Sequence, residues 1–328
     1  MKTKKIKAAL GLDIGNGTIK FALITKKGKL IDWVYIKNLG VIETIKKGLK
    51  KLRKDVEITA VGTTGAGRKL GAAFIGADIT KTEILAHAVG ALHFISNAQT
   101  IFDLGQEDSK ILILRNEVLV DFGMNQICSG GCGAYLENVA FRLGIPIEKF
   151  GDLALKAKST ATISGKCAVF GTTSCVHKLN AGVAKENILS GVATSLIRNY
   201  LALVAKGKDI KPPYIFQGGV SLNKAVVKAL EEELSHKVIV PKHAPIIGAI
   251  GAAILAQEAN PTKSVFKGFN LANFEYATAS FTCHKCSNHC EVINIIKDGK
   301  KIASLGSRCG RYNIDFSKTT SQDSPPQL

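Results

Sequence analysis

Apolar residues run from Ala8 to Leu12, break at Asp13 and resume at Ile19, with Gly15, Asn16 and Gly17 between them tolerating left-handed turn geometry. The pattern predicts a β-hairpin with a carboxylate at its mouth. Ninety residues later QTIFDLGQEDSKILIL repeats it, with Asp103, Gly105 and Lys110 at the offsets of Asp13, Gly15 and Lys20. The chain therefore reads as internally duplicated. Apolar residues spaced at three and four follow each hairpin. They mark helices in IETIKKGLKKLRK and TEILAHAVGALHFI after the first, and in YLENVAFRLG and ENILSGVATSLIRNYLALVAKG after the second. ITAVGTTGAGRK reads as a strand and a Gly-rich turn, YIFQ as a strand, and GGVSLN as the entry to another helix. VIVPKHAPIIGAIGAAILAQ gives a strand, a Pro-containing turn and a helix with Gly248, Gly251 and Ala252 on a close-packing face. These elements predict an α/β protein of two lobes facing one another across a cleft. Residues 1–99 form the first lobe, 100–240 the second, and 241–260 a helix returning to the first.

Past Asn260-Pro261 the composition changes. Residues 261–282 read as a linker, 283–314 as a small four-cysteine module around the hairpin VINIIKDGKKIASLG, and 315–328 as a disordered tail.

With 328 residues, 46% of them hydrophobic, the chain can build a large core. Its longest membrane-like stretch, 244–256, is about 13 residues, short of the ~18–20 a bilayer span needs. The basic start MKTKKIKAAL meets Asp13 too soon for a signal peptide, so a cytoplasmic protein without a membrane partner is expected. Lys and Arg outnumber Asp and Glu by 44 to 26, a net charge of +18, which implies an anionic partner. The lysines are scattered and aromatics are few, which argues against nucleic acid.

Turn amides at each hairpin suit phosphate oxygens, and Asp13 and Asp103 suit Mg²⁺, held directly or through water. Gly218 and Gly219 would let backbone approach a flat ligand such as adenine, with Ser221 or Asn223 as helix N-cap. Neither a Rossmann fingerprint nor a P-loop occurs. There are eight cysteines and no secretory signal, so thiolate ligands or buried thiols are expected rather than disulfides. Cys128 and Cys167 lie in Gly-flanked turns, where backbone N–H groups suit an anionic cluster. Two thiolates do not complete a four-thiolate site, whereas a symmetric homodimer supplies four. Cys175 is assigned to packing. Cys283, Cys286 and Cys290, followed by Cys309, have the spacing of a tetrathiolate site for zinc or a second iron–sulfur cluster, with His284 and His289 as alternates.

The order DIGNGT, DLGQEDSK, GGVSLN, GAIGAA resembles the phosphate-1, phosphate-2, adenosine and connecting motifs of the actin, Hsp70 and sugar-kinase superfamily. More specifically, TTGAGR, TEILAHAVGA, DLGQEDSK, MNQICSGGCGAYLE and GGVSLNKAVVKALEEEL resemble the BadF/BadG and 2-hydroxyglutaryl-CoA dehydratase activator family, over roughly residues 6–257. The resemblance implies an ATPase that drives a low-potential electron into a partner iron–sulfur enzyme of the 2-hydroxyacyl-CoA dehydratase or benzoyl-CoA reductase type. Ferredoxin or flavodoxin would stand upstream. It further implies ATP and Mg²⁺ held by Asn16, Gly17, Thr18, Lys20, Gly105, Gln106, Ser109, Gly218, Gly219, Ser221 and Asn223, with Asp13, Asp103 and Glu107 catalytic. One [4Fe–4S] cluster would bridge a homodimer through Cys128 and Cys167. Two departures stand out. The usual C-A-A-G-T-G is here Cys128-Ser129-Gly130-Gly131-Cys132-Gly133, which adds a third thiol. The usual D-I-G-G-Q-D-S-K has Gln106 for a glycine and Glu107 for a glutamine. Two other readings compete: a small-molecule kinase of amino-sugar type, and a basic, zinc-containing, nucleotide-dependent binding module.

Overall fold

The computed structural model describes residues 5–125, 132–165, 167–297 and 299–312. In the first lobe β1 (Ile6–Ile14) pairs antiparallel with β2 (Thr18–Thr25), and β2 with β3 (Leu30–Lys37). On its other side β1 runs parallel to β4 (Val56–Thr64), and β4 to the short β5 (Ile79–Thr80). The second lobe repeats this order with β6 (Thr100–Leu104), β7 (Ser109–Arg115), β8 (Val118–Met124), β9 (Tyr214–Gln217) and β10 (Val238–Ile239). The sheets run β3-β2-β1-β4-β5 and β8-β7-β6-β9-β10, so the duplication read from two hairpins extends to whole sheets. Register is conserved with it. Asp13 faces Lys20 across β1–β2, and Asp103 faces Lys110 across β6–β7.

The third strands, β3 and β8, are absent from the reading of the sequence. The link into β8 is Asn116-Glu117, both with positive φ (50° and 65°), a tight turn without the glycine that usually announces one. β8 is an edge strand that leaves Val118, Val120 and Phe122 exposed, so its apolar residues do not alternate with polar ones as on a half-buried strand.

Helices α1 (Val41–Lys51), α2 (Arg68–Ile75) and α3 (Glu83–Phe94) belong to the first lobe. The second carries α4 (Gly133–Arg142), α5 (Ile147–Ala154), α6 (Ala168–Asn180), α7 (Lys185–Leu203) and α8 (Lys224–Leu234). Leu10, Phe21, Ile45 and Phe74 centre the first core; Phe102, Phe150, Tyr200 and Phe216 centre the second. The last long helix, α9 (Ile247–Ala259), packs on β1, β2 and β4 and crosses α3. Gly90 and Gly251 make that crossing possible. A side chain on Gly251 would strike the Ala86 carbonyl and come within 2.9 Å of the Gly90 amide nitrogen. α3 in turn presents Ala88 and Ala91 to Ile101, Leu112 and Ile215 of the second sheet. No helix among the described residues is long and apolar enough to cross a membrane.

The stretch expected to be a linker differs from expectation. Leu271 and Ala272 are buried in the first core, and Tyr276 meets Phe74 edge-on with ring centroids 4.6 Å apart. Strand β11 (Tyr276–Thr282) then forms an antiparallel sheet with β12 (Glu291–Lys297) and β13 (Lys300–Leu305), so 276–282 is sheet rather than connector. The apolar pair inside FNLANF supplies the burial that a linker lacks. The tail expected to be disordered, 315–328, lies outside the described residues.

Because α3 and α9 touch backbone to backbone, Gly251→Ala is expected to lower the free energy of unfolding by about 1–3 kcal/mol through overpacking. Guanidinium unfolding of the purified protein measures it. A change below about 0.5 kcal/mol, the usual range for a surface site, would contradict this crossing.

Candidate functional site

The mouths of the two duplicated hairpins face each other at the bottom of the cleft, and both their aspartates are buried, Asp13 at 4% exposure and Asp103 at 2%. Lys20 Nζ lies 3.0 Å from Asp13 Oδ2, while Lys110 Nζ lies 2.9 Å from Glu83 Oε2 and 3.9 Å from Asp103 Oδ2. His87 stands between the halves. Its Nδ1 is 3.1 Å from Asp103 Oδ2 and 2.9 Å from Gln217 Nε2, and its Nε2 is 3.9 Å from Asp13 Oδ2. Glu83 and His87 are one turn apart on α3, so a single helix face reaches the second hairpin. Gly248 on α9 leaves room for this: a side chain there would come within 2.5 Å of His87 Nε2 and 3.0 Å of Asp13 Oδ2.

Charge decides the protonation states. Burial pushes the Asp13 carboxyl up, but Lys20, then His87 and Lys110, outweigh it and hold it below its ordinary value. Burial likewise works against protonated Lys20 and Lys110, and the neighbouring carboxylates reverse that, raising both. The site thus holds the Asp13 carboxylate against the Lys20 and Lys110 ammonium groups in a low-dielectric pocket, an arrangement suited to a cation with a phosphate chain.

Asp13, Asn16, Lys20, Asp103, Gly105 and Gly218 line one narrow cavity of about 60 Å³, together with Gly17, Thr18, Gln106, Glu107 and Gly219. It adjoins a roomier one of about 580 Å³ between Tyr35, Leu136, Ile147 and Gly219, of a size for a nucleoside. Of the residues expected to hold a ligand, Ser221 and Asn223 are occupied in shaping the loop. Ser221 Oγ donates to Gly218 O at 2.7 Å. Asn223 is the N-cap of α8, its Oδ1 accepting from the amides of Ala225 and Val226. Ser109 is buried, and its Oγ has no hydrogen-bond partner among the described residues. Glu107 is exposed. A larger hollow of about 790 Å³ opens beside Thr160, Thr194 and Arg198, but Arg198 is already held by Glu233 at 2.6 Å and no hairpin residue lines it.

The second hairpin is bonded directly to α4. Gly133 N donates to Gly105 O at 2.9 Å and Ala134 N to Gln106 O at 2.8 Å. Asn125 exchanges bonds with Ser109, through its amide to Ser109 O (3.0 Å) and from Ser109 N to its Oδ1 (2.9 Å). Cys132 is wholly buried, its thiol donating to Glu107 O at 2.9 Å and accepting from Asn125 Nδ2 at 3.4 Å. The second thiol of the segment is thereby engaged in the turn. Cys128 lies outside the described residues. Cys167 is half-buried at the N-cap of the 13-residue α6, where the helix dipole favours a thiolate, so it fits a ligand role. Cys175 is buried in the core with its thiol pushed up to about 11 by burial, in keeping with packing.

Of the tail cysteines, Cys283 N bonds Cys290 O at 2.8 Å, and Cys283 Sγ is 4.0 Å from the Tyr312 hydroxyl. Cys286 and Cys309 are exposed. No three His, Cys, Asp or Glu side chains among the described residues are placed to hold one metal, so the expected four-thiolate site is not assembled among them. Reasoning from sequence missed Glu83, His87, Asn125 and Glu137. The spacing of a carboxylate and an imidazole one turn apart in TEILAHAVGA was the signal available for the first two.

Comparison with known proteins places this geometry. The model of the BadF/BadG/BcrA/BcrD ATPase family matches residues 10–256. The activator of lactoyl-CoA dehydratase from Anaerotignum propionicum is 33% identical over 265 residues, covering 77% of this chain and 99% of that protein. An uncharacterised protein of Methanocaldococcus jannaschii is 31% identical, and the chain spans 62% of its length. Among solved structures, component A of (R)-2-hydroxyglutaryl-CoA dehydratase from Acidaminococcus fermentans superposes with a TM-score of 0.73 at 25% identity, over 77% of this chain and 98% of that one. The activator of 2-hydroxyisocaproyl-CoA dehydratase from Clostridium difficile, with bound ADPNP, gives 0.71 at 28% identity, over 77% and 95%.

Lys20→Met would leave Asp13 buried without its nearest cation and is expected to cost about 3–5 kcal/mol at neutral pH. The sign with pH follows. In the native protein Asp13 lies below its unfolded value, so its contribution is present above that value and fades on acidification. Without Lys20, desolvation works to raise Asp13, and protonation relieves the strain. The stability gap between variant and native protein should therefore narrow as pH falls from 7 towards about 4. A gap that stays constant or widens in denaturation curves over that range would contradict the pairing.

Proposed function

Since the chain belongs to the BadF/BadG/BcrA/BcrD ATPase family, we propose that it couples ATP hydrolysis to low-potential one-electron transfer into a partner iron–sulfur enzyme of the 2-hydroxyacyl-CoA dehydratase or benzoyl-CoA reductase type. The observation that carries this is the bonding of the second hairpin's turn to both flanks of the cysteine segment, Asn125 and Cys132. A nucleotide seated at that turn acts directly on Asn125 and Cys132, the two residues that flank the segment carrying Cys128.

In this reading Asp13 and Asp103 hold Mg²⁺, directly or through water, and the turns at Gly15–Thr18 and Gly105–Ser109 bind the phosphates. Lys20 and Lys110 offset phosphate charge, and Gly218 and Gly219 admit the adenosine. Cys128 and Cys167 with the same pair of a second copy would hold a [4Fe–4S] cluster, which supplies the one-electron chemistry when bound. Support for a homodimer comes from exposed apolar residues on the two helices that follow the cysteines: Phe141 on α4 is 82% exposed, and Val169 and Phe170 near the start of α6 are 68% and 66% exposed. The nucleotide favours one lobe arrangement over another and so shifts α4. The basic surface attracts an acidic partner, and ferredoxin or flavodoxin supplies the electron. The protein works in the cytoplasm. The spacing of Cys283, Cys286, Cys290 and Cys309 suits a separate zinc or second cluster, and the backbone hydrogen bond from Cys283 N to Cys290 O supports that reading for one pair, the four thiols not being gathered in this structure.

Anaerobic purification followed by iron, sulfide and zinc analysis, with EPR of the reduced protein, tests the reading. About four iron and four sulfide per dimer are expected at the shared site, lost in Cys128→Ala and in Cys167→Ala. Native protein without iron, or both variants retaining the full signal, would overturn it.

A further inference from the structure

We propose that Gln106 orients the attacking water in ATP hydrolysis and that Glu137 on α4 holds Gln106 for that task, so that hydrolysis answers to the position of α4. The proposal rests on the ATPase reading and assigns two residues to it. Gln106 Nε2 donates to Glu137 Oε2 at 2.8 Å, which fixes the amide: turned over, it would set its oxygen against a carboxylate. The other end, Oε1, is buried and has no hydrogen-bond partner among the described residues. It fills the space that a side chain on Gly17 would take, so Gln106 spans the cleft from the second hairpin to the first. It also lines both cavities, the narrow one with Asp13 and Asp103 and the roomy one with Glu137.

A buried amide oxygen without a donor is costly, and one aimed into a phosphate site gains its donor when the site fills. Glu107, at the neighbouring position, is the weaker choice. It is exposed, and a carboxylate beside the γ-phosphate would repel it. A neutral glutamine accepts a hydrogen bond from water without adding charge, the use glutamine has in other nucleotide hydrolases. In the step itself the water oxygen bonds to the γ-phosphorus while the bond from phosphorus to the bridging oxygen breaks. The bonding pair stays on ADP, and the water's proton passes to an oxygen of the departing phosphate. Gln106 is neither protonated nor consumed.

Glu137 acts through Gln106 as a positioning residue. The main chain of Gln106 is bound to the same helix through Ala134 N, so displacement of α4 carries the amide with it. A displacement of α4 therefore changes where the Gln106 amide stands in the hydrolytic site, and a nucleotide that binds one placement of the turn better than another biases α4 in turn.

Steady-state ATP hydrolysis and direct binding of MgADPNP, measured on full-length Gln106→Ala, Glu137→Ala and Glu137→Gln, test this, with folding checked by circular dichroism. Gln106→Ala should lower kcat about 100-fold while the Kd for MgADPNP stays within about threefold. Glu137→Ala should lower kcat roughly tenfold, and Glu137→Gln, which keeps an acceptor for the amide, should recover most of it. Full kcat in folded Gln106→Ala, a loss expressed in Kd alone, or Glu137→Gln no better than Glu137→Ala would each overturn the proposal. Native protein that neither binds nor hydrolyses ATP would overturn the ATPase reading beneath it.

Discussion

The turn Gly105–Ser109 binds two things at once, and the rest of the site is arranged around that. Its carbonyls accept from the first amides of α4 and from the Cys132 thiol, and Ser109 exchanges bonds with Asn125. Asn125 and Cys132, the described residues on either side of the cysteine segment, are therefore both tied to the hairpin that faces Asp13. Backbone hydrogen bonds in a dry interior are expensive to leave unmade. A shift of the turn is thus passed to the flanks of the segment rather than absorbed by slack chain.

The cleft beneath it is a buried electrostatic balance. Asp13 and Lys20 in one lobe, Asp103 and Lys110 in the other, are bridged by Glu83 and His87 of α3. Each charge is tolerable only because its partner is present, so the lobes are held in register by the groups that would meet Mg²⁺ and phosphate. The glycine-lined crossing of α3 and α9 sets how near these groups approach. Sequence repeat, sheet topology and site chemistry share one cause: the same hairpin, used twice, puts the same acid and base at the same end of each sheet.

Much of this was legible in the chain. The repeat of Asp13, Gly15 and Lys20 as Asp103, Gly105 and Lys110 gave the two lobes, because strand register fixes which residues reach the turn. Helical spacing located α1, α3, α7 and α9. What escaped the reading was long-range. The partnership of Gln106 with Glu137 joins residues with no periodic relation, and Ser221 looks like a ligand until its hydrogen bond to Gly218 O is seen, whereas Asn223 was legible as a helix N-cap and is one. Edge strand β8 lacks the alternation that marks a half-buried strand, and Leu271 and Ala272 look like linker until the core they enter is known. Composition located the four tail cysteines, yet spacing alone does not assemble a metal site.

The central claim is that nucleotide at the Gly105–Ser109 turn alters the surroundings of the cysteine segment. The most direct measurement is the rate at which an iron chelator removes iron from anaerobically prepared, reduced protein, with and without MgATP. The account predicts that MgATP changes this rate roughly tenfold, as expected for a coupling of ordinary size. Equal rates with nucleotide demonstrably bound would contradict it.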